Sequence, residues 1–208
     1  MNNHIEVIEN FLSKDECEFI LFKYKNELKL SFAQTSIGID KNRKSSVGWI
    51  NELNGINERL TDLLKTSYDI NGMEVTGLGP FQFTEYNDGD FFNWHKDVYK
   101  DEITEIDRYC SLVIQLNDDY DDGHLELKLL DNPVIKVEKE AGNIIVFLSD
   151  IEHRVTKVKN GNRYTLVNWV GLKKTNNYKK TLGCIALKKK DMLILLKLIN
   201  NKTKIRIL

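Results

Sequence analysis

Two prolines and twelve glycines among 208 residues are too few for a collagen-like or low-complexity chain. Cysteine is scarcer still: Cys17, Cys110 and Cys184 are odd in number and far apart. That spacing excludes a disulfide framework and a paired-cysteine zinc site. Buried free thiols in a reducing cytoplasm are the expectation. No apolar run approaches the roughly 20 residues that cross a bilayer, so no membrane span is expected. Met1 to Glu6 has neither a basic region nor the start of a long apolar one, as a secretory signal would. The expected location is therefore cytoplasmic.

What is present is a core. Apolar residues make up 41% of the chain, with three Trp, eight Tyr and nine Phe, enough to bury the interior of one domain. Ser13 and Glu16 have the spacing of a capping box, and Phe19, Ile20, Phe22 and Leu28 then predict the apolar face of a helix ending near Leu28. A second helix is predicted from about Asn51 to Tyr68, with Ile56, Leu60, Leu63 and Leu64 on one face and Asn71-Gly72 after it. Short strands follow at Glu74–Tyr86, Tyr109–Leu116, Leu125–Leu130, Val134–Val137, Asn143–Leu148 and Tyr164–Val170. The 109–116 run is nearly continuous in apolar residues, the pattern of a strand buried on both faces. Helices first and even, short strands later predict a mainly β, α+β domain: a sandwich or barrel buttressed by N-terminal helices. Met192–Ile199 fits a short helix or a strand equally well.

The net charge of −1 hides an asymmetry. From Lys173 onward stand ten Lys and Arg206 against Asp191 alone, so this tail carries +10 and the remainder −11. Such a tail is either a solvated extension or a contact for phosphate-bearing partners, nucleic acid included. The acids gather in Asp88–Asp107 and Asp118–Asp122.

Only four histidines are present, and His4 is set aside as terminal. His95 and Asp97 form an H-x-D pair on a short extended segment, where residues i and i+2 face the same way and converge on one ion. His153 follows the apolar strand that ends near Leu148. Two imidazoles and a carboxylate on one face of an ion leave its other positions open, as non-haem Fe(II) oxygen chemistry needs. Zinc accepts the same donors.

The surroundings of these residues narrow the choice. The chain resembles the prolyl and lysyl hydroxylase branch of the 2-oxoglutarate/Fe(II) oxygenases. The pattern of that branch is Y-x-x-G-x-x-[YF]-x-x-H-x-D, then G-G-x-L, then H-x-V with Arg or Lys about ten residues on. Tyr86, Gly89, Phe92, His95, Asp97, Gly123, Leu125, His153, Val155 and Arg163 supply it in order. The resemblance runs from Gly77 to Leu172 and more weakly over the N-terminal helices. It implies a double-stranded β-helix (jelly-roll, cupin-like) core over 74–172, buttressed by helices within 13–70, in one domain of residues 1–172. The lysine-rich extension 173–208 lies outside it. It further implies Fe(II) on His95, Asp97 and His153, and 2-oxoglutarate and O2 as cosubstrates, with ascorbate as a candidate reductant. Arg163 would receive the far carboxylate of 2-oxoglutarate, Tyr86 would hydrogen-bond it, and Leu125 would wall the cosubstrate chain. Gln115 would be a pocket-facing polar group and Trp169 either pocket floor or core. Three positions depart from the pattern: Asp122 stands for the first Gly of G-G-x-L, Lys157 for a frequent Pro, and His124 occupies the variable position. On an alternating strand His124 points away from Leu125 and is not expected to ligate.

The implied activity is hydroxylation of an unactivated C–H, a prolyl residue in a peptide or protein first, with a free amino acid or other small molecule as the alternative. A zinc hydrolase would leave Arg163 unexplained, and a non-catalytic binding module would not need the triad. If both acidic segments line the mouth of the site, the protein substrate is expected to be basic.

Overall fold

The structure, a computed structural model, describes residues 5–35, 38–39, 42–53, 55–67, 73–76, 79–101, 106–129, 133–174 and 205–207. Two antiparallel sheets carry the fold. In the larger, the core order is Ile144–Leu148, Ile106–Gln115, Arg163–Lys174, Phe81–Tyr86, extended on one side by Ile5–Ile8 and on the other by Ser46–Ile50. The smaller runs Ile135–Lys136, Leu125–Lys128, Glu152–Val155, Phe91–His95, Arg43–Lys44. Most consecutive strands of the two sheets thus cross from one to the other, and the eight strands named here between Phe81 and Lys174 form a jelly roll.

The Ile106–Gln115 strand explains why its sequence is apolar at nearly every position. Leu112 and Ile114 point into the cluster shared with the helices, while Val113 points between the sheets with Leu125, Leu127, Ile145 and Phe147. Burying a large aliphatic side chain contributes about 1.5–3 kcal/mol, so a strand buried on both faces anchors both clusters.

Helix α1 spans Lys14–Glu27 and α2 spans Ile56–Ser67. The capping box at Ser13 forms: its hydroxyl accepts from Glu16 N at 3.2 Å, and Glu16 Oε2 accepts from Ser13 N at 2.8 Å. The buried face of α1 differs from expectation. Ile20 and Cys17 are buried, whereas Phe19 and Phe22 are 62% and 79% exposed. Helix α2 starts later than predicted, because Asn57 folds back to accept from Leu53 N at 2.7 Å; Ile56, Leu60 and Leu63 are buried. The stretch between the helices is not helical buttress but short strands, among them Ser31–Phe32, Arg43–Lys44 and Ser46–Ile50. Arg43–Lys44 pairs with Phe91–His95, which brings this stretch to the site.

The last strand of the jelly roll continues to Lys174, past the expected boundary at 172, and Ile205–Ile207 pairs antiparallel with Ile5–Ile8 at the sheet edge. His4, Cys184 and the Met192–Ile199 segment lie outside the described residues. Cys17 and Cys110 are free and buried, and burial, with Glu16 and Asp118 nearby, pushes the Cys17 thiol up to about 12. Among the described residues, no helix is long and apolar enough to cross a membrane.

Candidate active site

His95 ends one strand of the smaller sheet and His153 stands opposite it in the ladder. Each imidazole is oriented by the backbone two residues before it. His95 Nδ1 lies 2.8 Å from Asn93 O and His153 Nδ1 2.9 Å from Ile151 O. With Nδ1–H donating to these carbonyls, Nε2 of both rings is left as a free lone pair. Both face the Asp97 carboxylate, His95 Nε2 at 3.7 Å from Oδ1 and His153 Nε2 at 3.5 Å from Oδ2. The three donor atoms lie within 4.8 Å of one another.

The surroundings favour ligation. Burial, and then the neighbouring His153, lower His95 to about 4, so its ring is neutral near pH 7. Burial alone would raise the Asp97 carboxyl. His153, the Trp169 indole, His95 and Ser111 together outweigh burial and hold it below its ordinary value. Ser111 Oγ donates to Asp97 Oδ2 at 2.7 Å and Trp169 Nε1 at 3.0 Å. Asp97 is thereby fixed from the larger sheet while the imidazoles come from the smaller one. Two imidazoles and a carboxylate with outer hydrogen bonds fit a divalent first-row metal.

A cavity of about 260 Å³ opens beside the triad between the sheets. Arg163, which lines it, is 2% exposed, with its guanidinium 5.3 Å from the Tyr86 ring centroid; the two residues are ladder partners. Its NH2 donates to Gln115 Oε1 at 3.2 Å, but its Nε has no hydrogen-bond partner, nor has the buried hydroxyl of Thr165. Arg163 makes no ion pair with any acid among the described residues. A buried cation with only neutral partners is costly unless an anion completes it. A dicarboxylate reaching from the triad to Arg163 and Thr165 meets that need, so the residues fit 2-oxoglutarate as well as the metal.

The expected residues are therefore brought together: His95, Asp97, His153, Arg163, Tyr86, Leu125 and Trp169 all border the cavity. Gln115 is the exception. It does not border the cavity but lies behind Arg163, bonding it and the Tyr120 hydroxyl. His124 is likewise not among the residues that border the cavity. Trp169 proves to be neither plain floor nor plain core, since it holds Asp97. Ser111 and Thr165 escape sequence reasoning, although alternation places Ser111 with Val113 and Thr165 with Arg163. Arg43, Arg108, Trp49 and Gln82 also border the cavity without having been expected.

The acids mostly do not. Asp97 is the only cavity-lining acid among the described residues. Asp90 is buried in an ion pair with Lys44 at 2.8 Å, and Asp88 accepts from Asn160 N at 2.9 Å. Asp121 and Asp122 pair with Asn160 and Lys159. These groups fasten the 87–90 turn and the 118–122 loop to the 157–160 segment. Glu102 and Glu105 lie outside the described residues.

Comparisons with known proteins agree with this geometry. Residues 81–171 match the model of the 2OG-Fe(II) oxygenase superfamily. A PKHD-type hydroxylase of Prochlorococcus marinus strain NATL1A is 26% identical over 144 residues, 69% of this chain and 62% of that relative, so the match spans under two thirds of its length. A Pseudomonas putida prolyl-4-hydroxylase superposes with a TM-score of 0.62 at 21% identity, over 85% of this chain and 95% of that one. A Trichoplax adhaerens prolyl hydroxylase, solved with a hypoxia inducible factor oxygen degradation domain peptide fragment, gives 0.66 at 20% identity, over 81% and 84%. Residues 81–171, under half of the chain, thus resemble a 2OG-Fe(II) oxygenase domain, and the solved structures share its fold. The His95–Asp97–His153 group is one that could hold the Fe(II) such a domain uses.

Proposed function

We propose that this protein hydroxylates an unactivated C–H bond of a prolyl residue in a peptide or protein. The observation that carries the cosubstrate half is the buried Arg163, without an ion pair among the described residues, in the same cavity as the His95–Asp97–His153 triad. What supports a peptide is the apolar surface beside the metal ligands: Trp49, Val98 and Tyr99 are 51%, 61% and 54% exposed, and exposed apolar patches of this kind mark contact surfaces.

In this reading His95, Asp97 and His153 would hold Fe(II), the two imidazoles through Nε2 because each Nδ1 faces a backbone carbonyl. Bound Fe(II), with 2-oxoglutarate and O2, supplies the oxidation, 2-oxoglutarate ending as succinate and CO2 and one oxygen atom ending as the new hydroxyl. The chain does the rest. Arg163 and Thr165 take the far carboxylate, with Tyr86 stacked against the guanidinium and Gln115 orienting it from behind. Val113, Leu125 and Val167 form a dry wall that keeps bulk water from the reacting carbon. Ser111 and Trp169 keep Asp97 ionised and aimed. A reducing, cytoplasmic setting belongs to the same proposal and agrees with the free thiols of Cys17 and Cys110.

The test is succinate release by the full chain with Fe(II), 2-oxoglutarate and a panel of proline peptides, with mass spectrometry of the products. One added oxygen on proline is the expected result. Coupled turnover with free amino acids but no peptide would move the assignment to a small-molecule hydroxylase.

A further inference from the structure

The cavity has a surplus of positive charge that the cosubstrates leave in place. Three guanidinium groups border it, Arg43, Arg108 and Arg163, against the single carboxylate of Asp97; three positive charges and one negative leave a surplus of two. The charges of Fe(II) and dianionic 2-oxoglutarate cancel, so loading both does not change that surplus. Arg163 is matched by one cosubstrate carboxylate. Arg43 and Arg108 remain.

Both are built in rather than loose. Arg43 lies 4.7 Å from the Phe92 ring centroid, and Phe92 in turn stacks on His95 at 3.4 Å. Arg108 lies 4.2 Å from the Trp169 ring centroid, and Trp169 bonds Asp97. Each guanidinium is thus one aromatic ring removed from a metal-binding side chain, on a different strand. Arg43 has neutral partners only, Ser45 Oγ at 2.7 Å and Gln82 Oε1 at 3.1 Å. Neither arginine makes an ion pair among the described residues. Both are half-buried, where a guanidinium attracts a carboxylate more strongly than in open solvent.

We infer that the substrate carries a carboxylate that docks against Arg43 and Arg108 at the mouth of the cavity, and that these two residues select for it. Two sources offer this group: an acidic side chain flanking the hydroxylated residue, or the α-carboxylate of a free amino acid. This inference takes from the hydroxylase reading only that substrate enters this cavity. It reverses the sign of the substrate charge expected from the acidic segments.

The test is fluorescence anisotropy of labelled peptides on the full chain, loaded with Fe(II) and 2-oxoglutarate without oxygen. Matched proline peptides carry Glu, Gln or Lys on either side, and a fourth carries Glu with Ala in place of Pro. At low salt the Glu peptide should bind on the order of tenfold more tightly than the Lys peptide, and the gap should close as salt rises. Arg43→Gln and Arg108→Gln should each remove most of that preference, while Arg43→Lys and Arg108→Lys keep part of it; melting curves show that each variant is folded. Free proline competing where prolinamide does not, in an arginine-dependent way, would identify the α-carboxylate as the source. Equal or tighter binding of the Lys peptide, or a preference that survives both Gln variants, overturns the inference. The Ala peptide separates the two readings: arginine-dependent preference there upholds the carboxylate site even if no proline is ever hydroxylated.

Discussion

Arg163 sits 2% exposed, donates a hydrogen bond to Gln115 and makes no ion pair with an acid among the described residues. Removing it should remove the counter-charge for the far carboxylate of 2-oxoglutarate. Arg163→Ala is expected to weaken 2-oxoglutarate binding by about 2–5 kcal/mol, and Thr165→Val by about 1 kcal/mol. Isothermal titration of the Fe(II)-loaded protein without oxygen measures both, and an unchanged Arg163→Ala affinity would mean that another cation anchors the cosubstrate. Trp169→Phe keeps the ring under Arg108 but deletes the hydrogen bond to Asp97. Loss of such an outer partner typically lowers metal affinity by roughly 10–100-fold, so Fe(II) titration of this variant should show a weaker site, and wild-type affinity would demote Trp169 to packing. The triad and Arg163 were legible in the sequence because their residue types and order carry chemistry. Ser111, Thr165 and the bond from Trp169 were not, because a hydroxyl or an indole on a strand announces nothing until a sheet places it opposite a carboxylate.

Elements depend on a few backbone positions. The loop before Leu125 holds Asp122 at φ 51° and Gly123 at φ 59°, both left-handed. The paired glycines of the related pattern have a reason there, and Asp at the first position is one of the few side chains that tolerates it. Gly123 does not have that latitude: a Cβ on it would lie 2.8 Å from Val158 Cγ2 and 2.9 Å from the Tyr120 ring. Gly123→Ala is therefore expected to destabilise the protein by about 1–3 kcal/mol, from the backbone conformation and the overlap together. Urea unfolding measures this, and a loss below the error of the experiment would show that the loop relaxes. Strand and capping signals were legible at this scale, as Ser13 and the apolar 109–116 run show. Two elements were not. The apolar spacing of Phe19 and Phe22 implied a buried face, but α1 packs through Cys17 and Ile20, a choice made by the sheet and not by the helix. The strands between 31 and 50 are short, and Ser46–Ile50 forms against the edge that Phe81–Tyr86 offers.

In the whole molecule the site is a clasp between the sheets. His95 and His153 come from the smaller sheet, while Ser111 and Trp169 of the larger sheet hold Asp97. Arg163, which lines the same cavity, also belongs to the larger sheet. Metal on the triad and a dicarboxylate on Arg163 should therefore tie the two layers together, and groups that bind only the folded state stabilise it by mass action. At a hundredfold excess over the dissociation constant the gain is about 2.7 kcal/mol, which for a domain of this size raises the melting temperature by roughly 5–10 °C. The two cosubstrates should not contribute independently. Arg163 and Thr165 alone offer 2-oxoglutarate one end of its site, so without metal its effect on melting should be small, and with Fe(II) under exclusion of oxygen it should be large. Variants divide the contributions. His153→Ala should lose the metal shift and the 2-oxoglutarate shift together, while Arg163→Ala should keep the first and lose most of the second. A 2-oxoglutarate shift of equal size without metal, or one that persists in His153→Ala, would place the dicarboxylate away from the triad and break the link between the two halves of the cavity.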